Sequence, residues 1–344
     1  MSSGYLLGQR GINYRILEAT TTYGGRIKRT TTFADFPIPL GAEWLHVPDS
    51  ELRSIVNNPA VEVTTRTVGY KAEDSLGYFE NGVLTTRTMS DWGEIDPDLK
   101  FVGSTWFDFF REFIVPHVEP RMTFDTPVVA IDYEGDGVSL TDAYGVVHQA
   151  DAVIVTAPLR ILQLGEIAFS PPLPDDRQEA LADAVVWGGI KVFFEFSEQF
   201  FPTILNFSDT MTNQGQRLYY DAAYGQNSSS SVLGLFAVGA QALPYQALSG
   251  NAQRDYILAE LDQVFGGLAS RTYVKHLVQN WNDEPFAKGA YLADEAPSRI
   301  SQVLSGSIAG KVFFAGDAYT KEDDWSAVHN AARSARDVVQ EMVG

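Results

Sequence analysis

Apolar positions along this chain recur with two periods, and the two separate strands from helices. Residues 14–17 (Tyr-Arg-Ile-Leu) form a short β-prone run that reads as a buried strand. Ahead of it, residues 2–11 carry apolar Tyr5, Leu6 and Leu7, polar Gln9 and Arg10, and Gly11 as a stop, which predicts a short helix. Residues 52–56 look helical, and residues 78–84 read as a hairpin around Asn81-Gly82. Residues 104–115 (STWFDFFREFIV) are aromatic at helical spacing and belong in a core. Residues 128–133 predict a strand, 135–137 a tight turn, 138–141 and 146–149 the arms of a meander, and 151–158 a buried strand ending in a loop. The run 188–196 is a strand in which a lysine, Lys191, stands among apolar residues. Further strands are expected around the 227–231 loop, a helix over 252–265 and a strand over 274–281. A last strand begins at Lys311 and runs into Gly316 and Asp317, and a final helix opens over 325–335.

Candidate chemistry sits where these elements end. Glu18 closes the first strand at its C-terminal end, where open α/β sheets bind ligands, and a carboxylate there accepts both hydroxyls of a ribose. Gly24-Gly25-Arg26 then lets the backbone approach a ligand, with a guanidinium suited to a pyrophosphate. Each feature alone also has an ordinary reading: a solvated acid, a plain turn, an edge lysine with its amine in water.

In order and spacing these features resemble the flavin-containing amine oxidases, the monoamine and polyamine oxidase family. Residues 16–27 match its second strand and GGR turn, and Gly41-Ala42-Glu43-Trp44 matches a segment that runs beside the flavin ring. Val128 and the following strands match a pattern in which the first valine contacts adenine. Lys191-Val192 matches a strand whose lysine holds a water near flavin N5, and Trp281 a tryptophan near the flavin. Tyr291 matches one wall of an aromatic cage, and Phe314-Ala315-Gly316-Asp317-Ala318 a motif whose acid bonds the ribityl chain.

The resemblance implies an α/β fold: a Rossmann-like FAD-binding domain (residues 1–50, 120–185 and 300–344) interrupted by a mixed-sheet α+β substrate domain (residues 51–119 and 186–299). Glu18, Gly24, Gly25, Arg26, Gly41, Ala42, Glu43, Trp44, Val128, Gly316, Asp317, Trp325, Ala327 and Val328 are then the expected cofactor contacts, and Lys191, Tyr291 and Trp281 the catalytic set. Ala290 stands where monoamine oxidases attach flavin to cysteine, so the FAD is expected to be non-covalent. The activity implied is oxidation of a small-molecule amine to an imine, with dioxygen reoxidising the flavin to give hydrogen peroxide. Two alternatives stand beside it: a catalytically impaired or non-catalytic truncated homologue, and an FAD-dependent oxidase or desaturase of a non-amine substrate.

Two departures qualify the match. No strand and G-x-G-x-x-G turn precede residues 2–11, and the third glycine of that turn would fall just before Met1, so weak FAD affinity and an exposed sheet edge are expected. The second cage aromatic falls at Ala327 or Val328, neither of which is aromatic.

Composition adds a few bounds. Forty-four acidic against 25 basic residues give a net charge of −19, which disfavours nucleic acid and anionic lipid and reads first as a solubility surface, with attraction of a cationic substrate as the alternative. The absence of cysteine removes disulfides, thiolate metal sites and thioether-linked flavin. No metal-ligand cluster, apolar run of about 18 residues or secretory signal is visible, so a soluble, by default cytoplasmic, protein is expected. His46 reads as a packed or surface histidine, and nothing in the sequence sets an oligomeric state.

Overall fold

The computed structural model describes residues 1–92, 98–294, 296–322 and 325–343. Its largest element is an eight-stranded sheet. In spatial order it runs Tyr273–Asn280, Gly189–Phe196, Ser231–Gly239, Gly215–Asp221, Ile204–Phe207, Ser75–Glu80 and Val83–Thr88, with Met211–Thr212 paired beside Gly215–Asp221. Every pairing is antiparallel except that of Ile204–Phe207 with Ser75–Glu80. The hairpin expected at Asn81-Gly82 forms there, both residues having positive φ as a two-residue turn of this hand requires.

The period of two along Gly189–Phe196 decides what this sheet does. Ile190, Val192, Phe194 and Phe196 pack with Ile257, Leu258 and Leu261 of the helix Gly250–Phe265. Phe193 faces the other way, into a cluster with Ile38, Leu40, Tyr220 and Val232. Lys191 shares that second face, so the strand's own alternation carries a lysine away from the helix-covered core and toward the Glu43 segment.

The other half holds short parallel pairs: Ile16–Leu17 with Met122–Thr123, and Val153–Val155 with Val312–Phe314. Beside them lies a four-stranded sheet in the order Val147–Ala150, Val138–Asp142, Val128–Asp132, Ala168–Ser170, in which the first three strands form an antiparallel meander and the fourth pairs in parallel. The helix Ser2–Gln9 packs along Val328–Val343, where Leu6 and Leu7 meet Val339. Tyr5, Ile27 and Ala332 join Leu52, Ile55 and the aromatic face of Trp106–Phe113 in one cluster. That packing draws two helices of the 51–119 segment onto the N- and C-terminal helices.

The sequence-predicted strands are longer than those observed at residues 14–17 and 151–158, where only Ile16–Leu17 and Val153–Val155 pair. The final helix differs more. It begins at Val328, not at Trp325, because Trp325 donates its Nε1–H to the Ala293 carbonyl and Ser326 its hydroxyl to the Leu292 carbonyl. These bonds pin the approach to the helix, and Ser326 sits at φ +65°, outside helical space. The Ala327 carbonyl accepts the first helical bond, from Ala331. No helix among the described residues is long and apolar enough to cross a membrane.

Candidate functional site

A cleft of about 2840 Å³ opens among the described residues, and every expected site residue lines it.

At one end, Glu18 follows the Ile16–Leu17 strand. Its backbone N–H donates to Thr123 and its carbonyl accepts from Thr126, at 2.9 and 2.8 Å. Its Oε1 accepts both the amide and the hydroxyl of Thr20, at 2.9 and 2.7 Å. The carboxylate is therefore fixed by Thr20 where it lines the cleft, as does half-buried Val128. Gly24 and Gly25 both have positive φ (112° and 53°), so the turn that follows requires glycine-like backbone, and a Cβ at Gly25 would meet only open space.

Also lining the cleft, Arg26 and Asp317 form a bidentate pair at 2.5 and 2.9 Å, and Arg26 donates to the Ala290 carbonyl as well. The guanidinium and the carboxylate assigned to pyrophosphate and ribityl chain thus satisfy each other. Gly316 lies alongside, its N–H donating to the Ser334 hydroxyl of the final helix. Ala327 and Val328 present that helix's N-terminus to the cleft, where its first amides have no intrahelical acceptor.

The Gly41–Trp44 segment corrects the sequence reading in two respects. A Cβ at Gly41 would lie 1.8 Å from the Arg26 carbonyl oxygen, and the Ala42 amide bonds that same oxygen. Glycine is thus demanded by the chain's own backbone, not only by close approach of a ligand. Glu43 is 5% exposed, and its carboxylate is spent on protein. It accepts from Lys191 at 2.7 Å, lies 3.3 Å from Lys100, and takes a short bond from the Tyr220 hydroxyl. Burial opposes its ionisation, but Lys191 and then Lys100 outweigh burial and hold the carboxyl below its ordinary range.

Lys191 is inward-facing, as expected, and 3% exposed. Burial drives its amine's pKa below the usual lysine value, with Glu43 opposing and Lys100 adding to the shift. Trp44 lies under its Nζ at 5.1 Å and donates its own Nε1–H to the Tyr70 hydroxyl. Trp281 is buried, and its Nε1–H donates to the Leu40 carbonyl. Tyr291 is half-buried against Trp187, with its phenol held neutral by burial and by nearby Asp294.

Sequence reasoning missed Lys100, Tyr220, Tyr70 and Phe236. Phe236 packs on the same Trp187–Val238 cluster as Tyr291 and also lines the cleft, supplying an aromatic wall that the residues at 327 and 328 do not. Lys100 left one sequence signal: like Lys191, it interrupts an apolar strand, here Leu99–Phe101.

The profile of the flavin containing amine oxidoreductases matches residues 115–343. The chain belongs to that family. Among its relatives, lysine-specific histone demethylase 1B of Mus musculus is 29% identical over 201 residues, 56% of this chain and 24% of the relative. Polyamine oxidase 4 of Oryza sativa subsp. japonica is 27% identical over 209 residues, 60% of this chain and 42% of the relative. The chain thus spans less than half the length of either of these curated relatives. Two solved structures share its fold. Wild-type putrescine oxidase bound to putrescine has a TM-score of 0.80 at 14% identity, covering 99% of this chain and 96% of that one. Cyclohexylamine oxidase from Brevibacterium oxydans IH-35A has a TM-score of 0.77 at 13% identity, covering 100% and 97%.

This member of the family fits a dinucleotide flavin by its donor set: an acid held at a strand end, a positive-φ glycine turn with open space at Gly25, and a helix N-terminus on one continuous cleft. Among the described residues no group of three metal-ligating side chains assembles.

Proposed function

We propose that this chain holds FAD non-covalently in the cleft and oxidises an amine at the carbon bearing its nitrogen. The observation that carries the reading is the convergence of Lys191, Trp44, Phe236 and Tyr291 on one wall of that cleft, beside the Arg26–Asp317 pair. Bound there, FAD supplies the two-electron acceptor for hydrogen on that carbon and passes the electrons to dioxygen, yielding hydrogen peroxide.

The chain's own residues do the rest. Glu18 accepts the ribose hydroxyls, and Val128 flanks the adenine. Gly24 and Gly25 give the backbone close approach, and Arg26 lends positive charge toward the pyrophosphate while Asp317 receives a ribityl hydroxyl. The N-terminus of Val328–Val343 places its positive dipole end where negative charge develops on the ring system. Trp44, Phe236 and Tyr291 exclude water and orient the amine, so its lone pair and the reacting C–H bond are aligned before reaction. A cationic substrate is drawn in by the chain's net charge of −19. Lys191 presents an amine to this wall, positioned to bind a water molecule.

The test is anaerobic addition of amines such as putrescine, spermidine and cyclohexylamine to the flavin-loaded protein. Bleaching of the flavin band followed by peroxide on admitting air supports the reading. An intact band with every amine overturns it. Acid precipitation should leave all yellow colour in the supernatant, since Ala290 offers no attachment atom.

A further inference from the structure

Three ionisable groups meet on the inner face of the Gly189–Phe196 strand with charges that do not balance. Lys191 and Lys100 both reach the single carboxylate of Glu43, at 2.7 and 3.3 Å, and all three side chains are at most 4% exposed. Tyr220 adds only a neutral hydroxyl, its phenol held far above the ordinary value by burial and by Glu43. Tyr70, next along through Trp44, is likewise kept neutral, and Asp98 lies beyond it. Beside Lys191 on the neighbouring strands stand Gln279 and Phe236, which carry no charge. With both amines protonated the unit bears a net positive charge where solvation is poor, so one proton is weakly held.

The two lysines differ in what else they touch. An ammonium has three N–H donors. Lys100 Nζ finds three oxygens: Glu43 and the backbone carbonyls of Asp221 at 2.9 Å and Ala222 at 3.2 Å. Lys191 Nζ has one oxygen, Glu43, and otherwise faces the rings of Trp44, Phe193 and Tyr220 at 5.1, 5.8 and 5.6 Å. Ring faces attract an ammonium more weakly than oxygen acceptors do. Lys191 also lines the cleft, and Lys100 does not.

The geometry points to Lys191 as a carbonyl-reactive amine: its Nζ surrenders the proton the unit cannot hold and condenses with a small aldehyde in the cleft to form a Schiff base. A lysine made nucleophilic by an apolar pocket and a second cation beside it is a general device for such chemistry. The Nζ lone pair attacks the carbonyl carbon and forms the C–N bond. The carbonyl oxygen then leaves as water with both amine hydrogens, giving C=N, and no oxidant is consumed. A proton taken up by the imine nitrogen restores a cation beside Glu43, which keeps its counter-ion. The aromatic walls select an aliphatic or aromatic aldehyde over a charged one. Burial's downward pull on the Lys191 amine agrees with this assignment.

The test uses the chain without flavin, so its result is independent of the oxidase reading. The protein is treated with butanal and sodium cyanoborohydride across pH 6–10, and alkylated lysines are mapped by proteolysis and mass spectrometry. The expected result is modification of Lys191 at pH 7 at least tenfold faster than exposed Lys71 or Lys321, with a pH midpoint well below the ~10.4 of a free lysine. Lys100→Met removes the like charge and should slow Lys191 labelling at pH 7 about tenfold, one pH unit in midpoint, whereas Lys100→Arg should keep the wild-type rate. Labelling of Lys191 no faster than of Lys71, or a midpoint near that of a free lysine, overturns the proposal in the wild-type protein alone, whether or not the variants fold. An unchanged rate in a folded Lys100→Met protein overturns it as well.

Discussion

Tyr219 and Tyr220 are adjacent on one strand, point to opposite faces of the same sheet, and each hydrogen-bonds a carboxylate that also binds a cation. Their surroundings are opposites. Tyr219 reaches Glu260 beneath the helix Gly250–Phe265, where Tyr245 and the Arg217 fork share the same carboxylate and Asp209 takes Arg217 Nε at 2.8 Å. One cation there faces two carboxylates, and the outer one, Asp209, stands 48% exposed. Tyr220 reaches Glu43, where two cations share one carboxylate and water is almost wholly excluded. The network under the helix can relax its charge into solvent. The network on the cleft cannot, so its imbalance is held as chemical potential on Lys191. A buried polar cluster that merely fastens the fold saturates its donors, whereas one that serves a reaction leaves a group short of partners.

Four substitutions or titrations would break or sharpen that contrast. The largest effect is expected from Glu43→Gln, which leaves two buried ammoniums without a counter-charge and should cost about 3–5 kcal/mol in denaturant unfolding. A loss under 1 kcal/mol would mean that water reaches the cluster. Lys191→Met leaves one cation for one carboxylate, so its unfolding midpoint should move little. Its flavin half-reaction rates, by stopped-flow absorbance, should instead fall ~10²–10³. Equal rates in the two proteins would remove Lys191 from the chemistry. Glu260→Gln should cost less than Glu43→Gln, about 1–3 kcal/mol, because Asp209 still pairs with Arg217. The reverse order would show that the helix-side network dominates stability.

The smallest effect is the acid limb of stability. The Glu43 carboxyl is held below its ordinary value, so its folded pKa lies below the unfolded value of ~4.3. Its stabilisation is therefore complete above that pH and is lost as pH falls through the depressed folded value. The stability gap between wild type and Glu43→Gln should narrow over that acid window and stay constant above it. A gap unchanged down to pH 2 would contradict an ionised Glu43.

Local pattern made much of this legible. The apolar run 188–196 read as a strand, and the glycine pair at 24–25 read as a turn that brings the backbone close. The inward direction of Lys191 came from the family resemblance, the run alone reading equally as an edge lysine with its amine in water. Partners brought together over long separations were not legible. Lys191 meets Glu43 across 148 positions and Tyr220 meets Glu43 across 177, and no local propensity encodes such a meeting. The mutual pairing of Arg26 and Asp317 was missed for the same reason, since each was read against a ligand and not against the other. The start of the last helix was displaced because two side chains of the preceding loop bond carbonyls near residue 292, a tertiary override of a helical pattern.

The Arg26–Asp317 clasp also has a consequence in time. Its two residues lie 291 positions apart. At roughly 5–20 residues per second of synthesis, the arginine emerges about 15–60 s before its partner exists. Throughout that interval the glycine turn has no carboxylate to hold it, and the last parallel strand, Val312–Phe314, is not yet there to pair with Val153–Val155. The Arg26–Asp317 part of the cleft is thus finished only once residue 317 has been made. A nascent chain must keep its half-built sheet from pairing with neighbours until then, which makes the waiting period, more than the finished fold, the stage at which this protein is exposed to aggregation.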